Sequence, residues 1–277
     1  MTRVGGGHGR WTMLALLCLA RVSMSLHLQV PAALAPFLIA ELGFGYAEIG
    51  LLLGLFMLPG ALVALPGGLV SDRIGDKATL LGGLALLSIG TGLLAATSGL
   101  GLAIPARVVS GTGGVLVTMQ VAKMATGWFA GREVATALGC VLGTFPLGIA
   151  LALATLGTLA GAGSWHAAVG STAAWTTLTL ALVAWLYRDP PRWQAADDRR
   201  PSLWSLAPGE VRLALLGGLA FGLVNAAWVV FMGFTPALLA ERGITAAEAN
   251  AVVSWGSWVS IGSIVAAGYF LDRLGRA

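Results

Sequence analysis

The ten-residue stretch GLVSDRIGDK at residues 68–77 returns as GYFLDRLGRA at residues 268–277. Both copies carry the pattern Gly-x-x-x-Asp-Arg-x-Gly, and the second begins 200 residues after the first. The match extends backwards without a gap, since APFLIAELGFGYAEIG at residues 35–50 aligns with TPALLAERGITAAEAN at residues 235–250. An internal repeat of this length predicts that residues 211–277 repeat the architecture of the beginning of the chain.

The composition around this repeat is that of a membrane protein. Charged residues make up 10% of the 277 residues and hydrophobic residues 57%, with a mean hydropathy of +0.86. A soluble domain carries about 25% charged residues. Outer-membrane β-barrels are excluded because their strands alternate apolar and polar residues, whereas this chain has long continuous apolar runs. We therefore expect an all-α membrane protein.

A membrane-spanning helix needs about 20 apolar residues. Eight apolar stretches meet this length, and several contain prolines at which a helix kinks. The predicted spans are residues 12–40, 48–70, 78–98, 100–123, 133–160, 165–187, 211–240 and 248–271. The prolines at which we expect kinks are Pro31, Pro36, Pro146 and Pro236.

The positive charges predict the orientation. Of the 16 Lys and Arg residues, thirteen fall at the N-terminus or in connections on its side of the membrane, and only Arg242 falls on the other side. The remaining two, Arg21 and Arg107, lie within predicted helices. Because positive loops stay inside, we expect a multi-pass protein of the bacterial inner (plasma) membrane with a cytoplasmic N-terminus. The net charge of +4 reflects this orientation and does not indicate nucleic-acid binding.

Of the twelve Asp and Glu residues, four fall at the outer ends of predicted helices and eight on the inner side, so none lies in a membrane interior. The eight spans therefore offer no buried carboxylate of the kind that proton pumps use as a relay. The charged stretch RDPPRWQAADDRRPSLW at residues 188–204 reads as a linker. We expect a six-helix transmembrane half at residues 1–187, a cytoplasmic linker at 188–210 and the first two helices of a second half at 211–277. Cys18 and Cys140 lie within spans and are expected to be free thiols.

The two Asp-Arg loops resemble the signature loop of the major facilitator superfamily, and Arg107-Val-Val-Ser-Gly111-x-Gly113 is similar to its second motif. The resemblance covers the whole chain and implies a twelve-helix bundle of two halves working by alternating access. Eight of those twelve helices would be present, so we expect a C-terminally truncated chain that lacks roughly 110–130 residues of a repeat-based total of about 400. The residues of the expected gating motif are Gly68, Asp72, Arg73, Gly75, Lys77, Arg107, Gly268, Asp272, Arg273 and Gly275.

Within the superfamily, residues 123–150 and the arginine-containing first helix look most like the cyanate/nitrate-transporter-like branch. The fifth helix lacks the asparagine of dedicated nitrate carriers. It also lacks the proline placement of drug antiporters, since Gly143 is followed by Pro146 rather than directly by proline.

In the resembling family, the aspartate of the signature loop latches the start of a helix in the opposite half. For Asp272 the implied partner is the start of the fifth helix, around Arg132 and Glu133, where an anion meets the positive end of the helix dipole. For Asp72 the implied partner lies in an eleventh helix that this chain does not contain. An ordinary solvated turn is the alternative for both loops. Arg107 lies nearer the outer half, which favours a structural or cavity role over the inner latch.

Arg21 is the leading candidate for substrate binding, because it lies about 15 Å into the first span and a guanidinium there must face protein or a watery cavity. Ser25 and Gln29 follow at four and eight residues, close to the same helical face. An arginine with two neutral hydrogen-bonding groups suits a small anion or a carboxylate. The alternative is an arginine nearer the inner interface that reaches the lipid phosphates.

Three further residues are candidates for the same cavity. His27 lies on a different face of the first span and is predicted either to take part in proton coupling or to be a hydrogen-bonded structural histidine. The repeat pairs Asn225 with Ser25, which predicts that Asn225 lines the cavity from the second half. Trp228, one turn further, would wall the pocket. The alternatives are an interhelical hydrogen bond for Asn225 and a core or lipid-facing aromatic for Trp228.

These observations predict a secondary active transporter that moves a small, anionic solute by alternating access. The alternatives are a non-transporting fragment of such a carrier and an exporter of hydrophobic, drug-like compounds. A membrane-embedded enzyme is disfavoured because no nucleophile–base or metal-ligand spacing occurs. We expect no cofactor and no metal, a small-molecule substrate and the lipid bilayer as partners, no nucleic acid, and a monomer.

Overall fold

The computed structural model describes residues 8–131, 133–189 and 208–274. Within these ranges the chain forms ten α-helices and no strand. The N-terminal group consists of α1 (His8–Ala33), α2 (Ala35–Leu42), α3 (Tyr46–Met57), α4 (Pro59–Ile74), α5 (Asp76–Ala95), α6 (Leu100–Phe129), α7 (Val134–Ala162) and α8 (Trp165–Leu186). The C-terminal pair consists of α9 (Pro208–Glu241) and α10 (Ala246–Leu274).

Eight stretches within these helices are long and apolar enough to cross a membrane, which confirms the eight predicted spans and the all-α class. The expected linker at residues 188–210 falls largely on residues 190–207, outside the described ranges. Cys18 and Cys140 are both free thiols.

The first two spans each divide into two helices near a proline. The first divides at Leu34 into α1 and α2, with Pro36 in the first turn of α2. The second divides at Leu58 into α3 and α4, with Pro59 opening α4. Proline has no N–H to donate to the preceding turn, so it favours the first turn of a new helix. Pro146 and Pro236, in contrast, lie inside the uninterrupted helices α7 and α9.

The helices α1 and α7 form the centre of the described bundle. α1 packs against α6, α7 and α8, α5 packs against α6 and α8, and α10 lies along α7. α9 contacts α1 and α10. Two apolar clusters fill the interior. One surrounds Leu34 and Leu156, and the other surrounds Leu17 and Phe129.

We call the end of the bundle at which α1, α7 and α9 begin the inner end, because it is the predicted cytoplasmic side. There α7 and α10 meet backbone to backbone. A Cβ atom on Gly268 would lie 2.6 Å from the carbonyl oxygen of Ala135 and 3.2 Å from the Cα of Gly139. No side chain fits at that distance, so the first glycine of the repeated loop is required by the contact itself.

Candidate functional site

Arg21 lies near the middle of α1, roughly 20 Å along the axis from His8. Its guanidinium donates a hydrogen bond to Thr118 Oγ1 of α6. The guanidinium carbon also lies 5.5 Å from the ring centroid of Phe145 of α7, within the range of a cation–π interaction. Three helices of the N-terminal group therefore position this charge.

Arg21 has no counter-ion in the part of the chain that the structure describes. The three ion pairs formed there join Arg10 to Glu133 and Lys123 to Asp72 and Asp76, all at the inner end. The Nε atom of Arg21 is buried and has no hydrogen-bond partner. A buried guanidinium is costly unless it is paired, and the Nε–H of Arg21 remains able to donate to a further acceptor.

Thr118 is a site residue that the sequence analysis missed. Its hydroxyl donates to the carbonyl of Gly114 at 2.8 Å, which leaves the oxygen lone pairs to accept from Arg21. One sequence feature could have identified Thr118: it lies three turns after Arg107, on the same face of α6.

Ser25 packs against α7, and its hydroxyl also lies 3.2 Å from the carbonyl oxygen of Arg21. Its side chain is fully buried, and its hydroxyl lies within 3.3 Å of the carbonyl oxygens of Val22 and Thr144. Gly148 lets α7 approach Ser25 closely. The hydroxyl proton is therefore used within the contact between α1 and α7.

Gln29 connects the N-terminal group to the C-terminal pair. Its Nε2 atom donates to the carbonyl oxygen of Met232 in α9 at 2.9 Å. Both α1 and α9 run from the inner end outwards. Arg21 precedes Gln29 by eight residues in α1, and residue 224 precedes Met232 by eight residues in α9, so Arg21 and residue 224 lie at the same depth. Asn225 therefore lies at the depth of Arg21, and it is half-buried.

Trp228 packs as a core aromatic. It is half-buried against the apolar cluster that includes Met232 and Val253. A Cβ atom on Gly256 would lie 3.9 Å from its ring, so Trp228 faces α10. The structure thus gives Trp228 the packing position that was the alternative to walling the pocket.

Both ring nitrogens of His27 have hydrogen-bond partners, which is the arrangement expected of a structural histidine. The residue is fully buried, with Nε2 2.5 Å from Thr176 Oγ1 and Nδ1 3.0 Å from Thr91 Oγ1. Thr176 already donates its proton to Thr172 O, so Nε2–H donates to Thr176 and Thr91 donates to Nδ1. A neutral imidazole makes both of these hydrogen bonds. Protonation of Nδ1 would remove the acceptor of the Thr91 hydrogen bond.

Arg107 holds neighbouring helices together as a structural clamp, in keeping with the structural role that its depth favoured over the inner latch. It is 1% exposed, and it donates to the carbonyl oxygens of Leu52, His27 and Leu28 at 2.9, 2.9 and 3.2 Å. The guanidinium carbon lies 4.6 Å from the ring centroid of Phe56. Arg107 thereby ties α6 to α1 and α3.

The contact expected for Asp272 is present at the start of α7. Its carboxylate accepts from the backbone N–H groups of Ala135 at 3.2 Å and Thr136 at 2.6 Å, and from the Thr136 hydroxyl. Such donors are unpaired within a helix, and they favour an anion. The neighbouring Glu133 pairs with Arg10 of α1 at 2.7 Å, so the start of α7 is tied to both groups of helices.

The first loop copy stays within the N-terminal group. Lys123 of α6 lies 3.4 Å from Asp72 and 2.8 Å from Asp76. Lys77 donates to the carbonyl oxygens of Ala184 and Tyr187, at the C-terminal end of α8, where a cation complements the helix dipole.

The other members of the gating motif have simpler surroundings. Gly75 separates α4 from α5 with a φ of +94°, a conformation that L side chains rarely adopt. Gly68 is half-buried, and Arg73 and Arg273 are exposed. Gly275 lies outside the described residues. No group of three potential metal ligands occurs within the described ranges.

Comparison with known proteins places this architecture. Residues 14–277 match the family model of the Major Facilitator Superfamily. Among solved structures, the crystal structure of a D-xylose-proton symporter superposes with a TM-score of 0.69 at 16% sequence identity, covering 95% of this chain and 69% of the symporter. At that identity the likeness shows the fold alone. No curated protein is similar enough to count as a relative. The chain belongs to the Major Facilitator Superfamily, a family of secondary membrane transporters.

Proposed function

We propose that this protein takes part in secondary transport of a small anion, with Arg21 as the principal binding residue. The observation that carries this proposal is the unpaired guanidinium of Arg21 in the middle of α1, with its Nε buried and without a partner. A carboxylate or a small oxyanion supplies planar acceptors that match an arginine fork. The proposal agrees with the resemblance to the cyanate/nitrate-transporter-like branch.

Contacts between the two groups of helices flank Arg21 on both sides, which suits alternating access. Asp272 holds the start of α7 at the inner end, and Gln29 reaches the Met232 carbonyl roughly 12 Å outwards of Arg21. Opening towards the inner side would break the Asp272 contact, and opening towards the outer side would break the Gln29 contact. In this mechanism Asp272 is the inner gate, and Asn225 contributes to the site from α9 at the depth of Arg21.

A ligand screen on the purified chain in lipid nanodiscs tests the proposal. Thermal unfolding is followed with nitrate, cyanate, formate and acetate, and with D-xylose as a neutral solute. We expect at least one anion to raise the unfolding temperature of the wild-type chain and not of Arg21→Ala. Arg188→Ala, which removes an exposed cation after α8, serves as the matched control and should respond like wild type. An equal shift in wild type and Arg21→Ala, or a response to xylose alone, contradicts the proposal.

Uptake of the responding anion into proteoliposomes then tests transport itself. Wild-type chain should accumulate the labelled anion faster than Arg21→Ala at equal protein incorporation. Equal uptake by both would remove Arg21 from the transport site.

A further inference from the structure

A second pocket lies at the outer end of the bundle, where α10 meets the helices of the N-terminal group. It has a volume of about 380 Å³ and opens between the junction of α1 and α2, the outer part of α7 and the first turns of α10. Its floor is formed by the buried residues Ala33, Leu153, Asn250 and Ser254. The pocket is far from Arg21, because Gly157 in its wall is roughly 18 Å along α7 from Phe145.

Asn250 gives this pocket its chemistry. The residue is 6% exposed and lines the pocket, and its side-chain amide makes no hydrogen bond with any residue that the structure describes. An amide has two donors and an acceptor, and those of Asn250 are available to a molecule in the pocket that this residue lines. Ser254, one turn further, donates to the carbonyl of Ala251 at 2.7 Å, so its oxygen remains able to accept.

The rest of the lining is apolar or uncharged. Phe37 and Leu153 supply hydrophobic surface, Thr158 lies at the rim, and no charged side chain lines the pocket. A charged ligand would lose its hydration here without a compensating ion. The volume is at the small end of the range for ligand pockets, about 300–1,000 Å³.

We propose that this pocket is a binding site for a small neutral amphipathic molecule, with one hydroxyl or amide group on Asn250 and an apolar body against Phe37 and Leu153. The site is separate from the proposed anion site and does not depend on it. Because its walls come from both groups of helices, an occupant would stabilise the described packing of α10 against α7. The site is thus expected to regulate movement of the two groups.

Photolabelling identifies such an occupant directly. The full chain in nanodiscs is irradiated with 1-octanol that carries an aliphatic diazirine, and the labelled peptides are located by mass spectrometry. We expect saturable labelling of residues 154–158 and 250–254 that unlabelled octanol displaces. The matched diazirine octane, which lacks the hydroxyl, should label these peptides without saturation.

Substitutions distinguish the contribution of the Asn250 amide to binding from that of the apolar walls. Asn250→Leu should weaken the apparent affinity by about two- to tenfold, the range of one net hydrogen bond. Ser263→Ala, exposed on α10 away from the pocket, should label like wild type. Gly157→Leu should abolish labelling by filling the pocket, since a Cβ there already lies 3.7 Å from Asn250 Nδ2.

Three results would overturn the proposal: labelling spread over lipid-facing peptides, equal saturable labelling by the octane probe, or unchanged affinity in Asn250→Leu. The comparison of the two probes on wild-type chain decides the question even where a variant does not fold.

Discussion

The two arginines inside the membrane-spanning helices differ in their partners, and this difference separates a structural charge from a candidate binding charge. Arg107 is 1% exposed and places three donors on backbone carbonyls of α1 and α3. Arg21 has one hydroxyl partner in Thr118 and a buried Nε without any. Depth alone would have grouped the two residues together.

The carbonyls that receive Arg107 explain its position. Pro31 has no N–H, so the carbonyl of His27, four residues earlier in α1, lacks its usual helical donor. Arg107 Nη1 donates to that oxygen at 2.9 Å. A buried cation is thus tolerated where the backbone leaves an acceptor free, whereas the Nε–H of Arg21 has no such acceptor.

The largest effect should follow the loss of the clamp. Arg107→Ala should lower the free energy of unfolding by about 3 kcal/mol or more, because hydrogen bonds to a charged donor contribute about 1.5–3 kcal/mol each. Denaturation in mixed detergent micelles measures it, with Arg188→Ala as the control for loss of an exposed cation. Unchanged stability in Arg107→Ala would show that the three carbonyl contacts contribute nothing.

Removal of the other arginine should have the opposite sign. Arg21→Met keeps a similar volume and removes an unpaired charge, so we expect the free energy of unfolding to stay constant or to rise by about 1 kcal/mol. The anion-dependent rise in unfolding temperature should disappear in the same variant. Destabilisation comparable to that of Arg107→Ala would place both arginines in the structural class.

The spans and the break at Pro36 were predictable, whereas the break at Pro59 was not. Continuous apolar runs determine where helices cross the membrane. Pro36 and Pro59 open new helices while Pro146 and Pro236 remain inside α7 and α9. All four positions are proline, and whether a proline interrupts its helix depends on packing against neighbouring helices, which the sequence pattern does not reveal.

The candidate site was predictable in depth and less so in direction. Counting residues placed Arg21 in mid-membrane, and the repeat paired Asn225 with Ser25, one turn further along the helix. The helical face shared by Arg21 and Ser25 did not reveal that Gly148 lets α7 close over Ser25. The position of Asp272 at the start of α7 agrees with the family resemblance, while Thr118 had no motif to mark it.

A smaller effect on the free energy of unfolding should show that Arg107 compensates for the missing N–H of Pro31. Pro31→Ala restores a backbone N–H that reaches the His27 carbonyl, so one bond of Arg107 becomes partly redundant. In a double-mutant cycle, Arg107→Ala should cost about 1 kcal/mol less in the Pro31→Ala background. Strictly additive losses of stability would mean that Arg107 does not compensate for the missing donor.

The smallest effect should come from Thr118, the hydroxyl partner of Arg21. Thr118→Val removes the oxygen that accepts from the guanidinium and keeps the shape of the side chain, so the arginine loses orientation while its charge remains. We expect anion affinity to fall about two- to fivefold, less than the loss in Arg21→Met, and stability to change by less than about 1 kcal/mol. Thr118→Ser keeps the oxygen and should bind like wild type. If Thr118→Val and Thr118→Ser bind alike, the hydroxyl does not position Arg21, and the guanidinium is held by α7 through Phe145 alone.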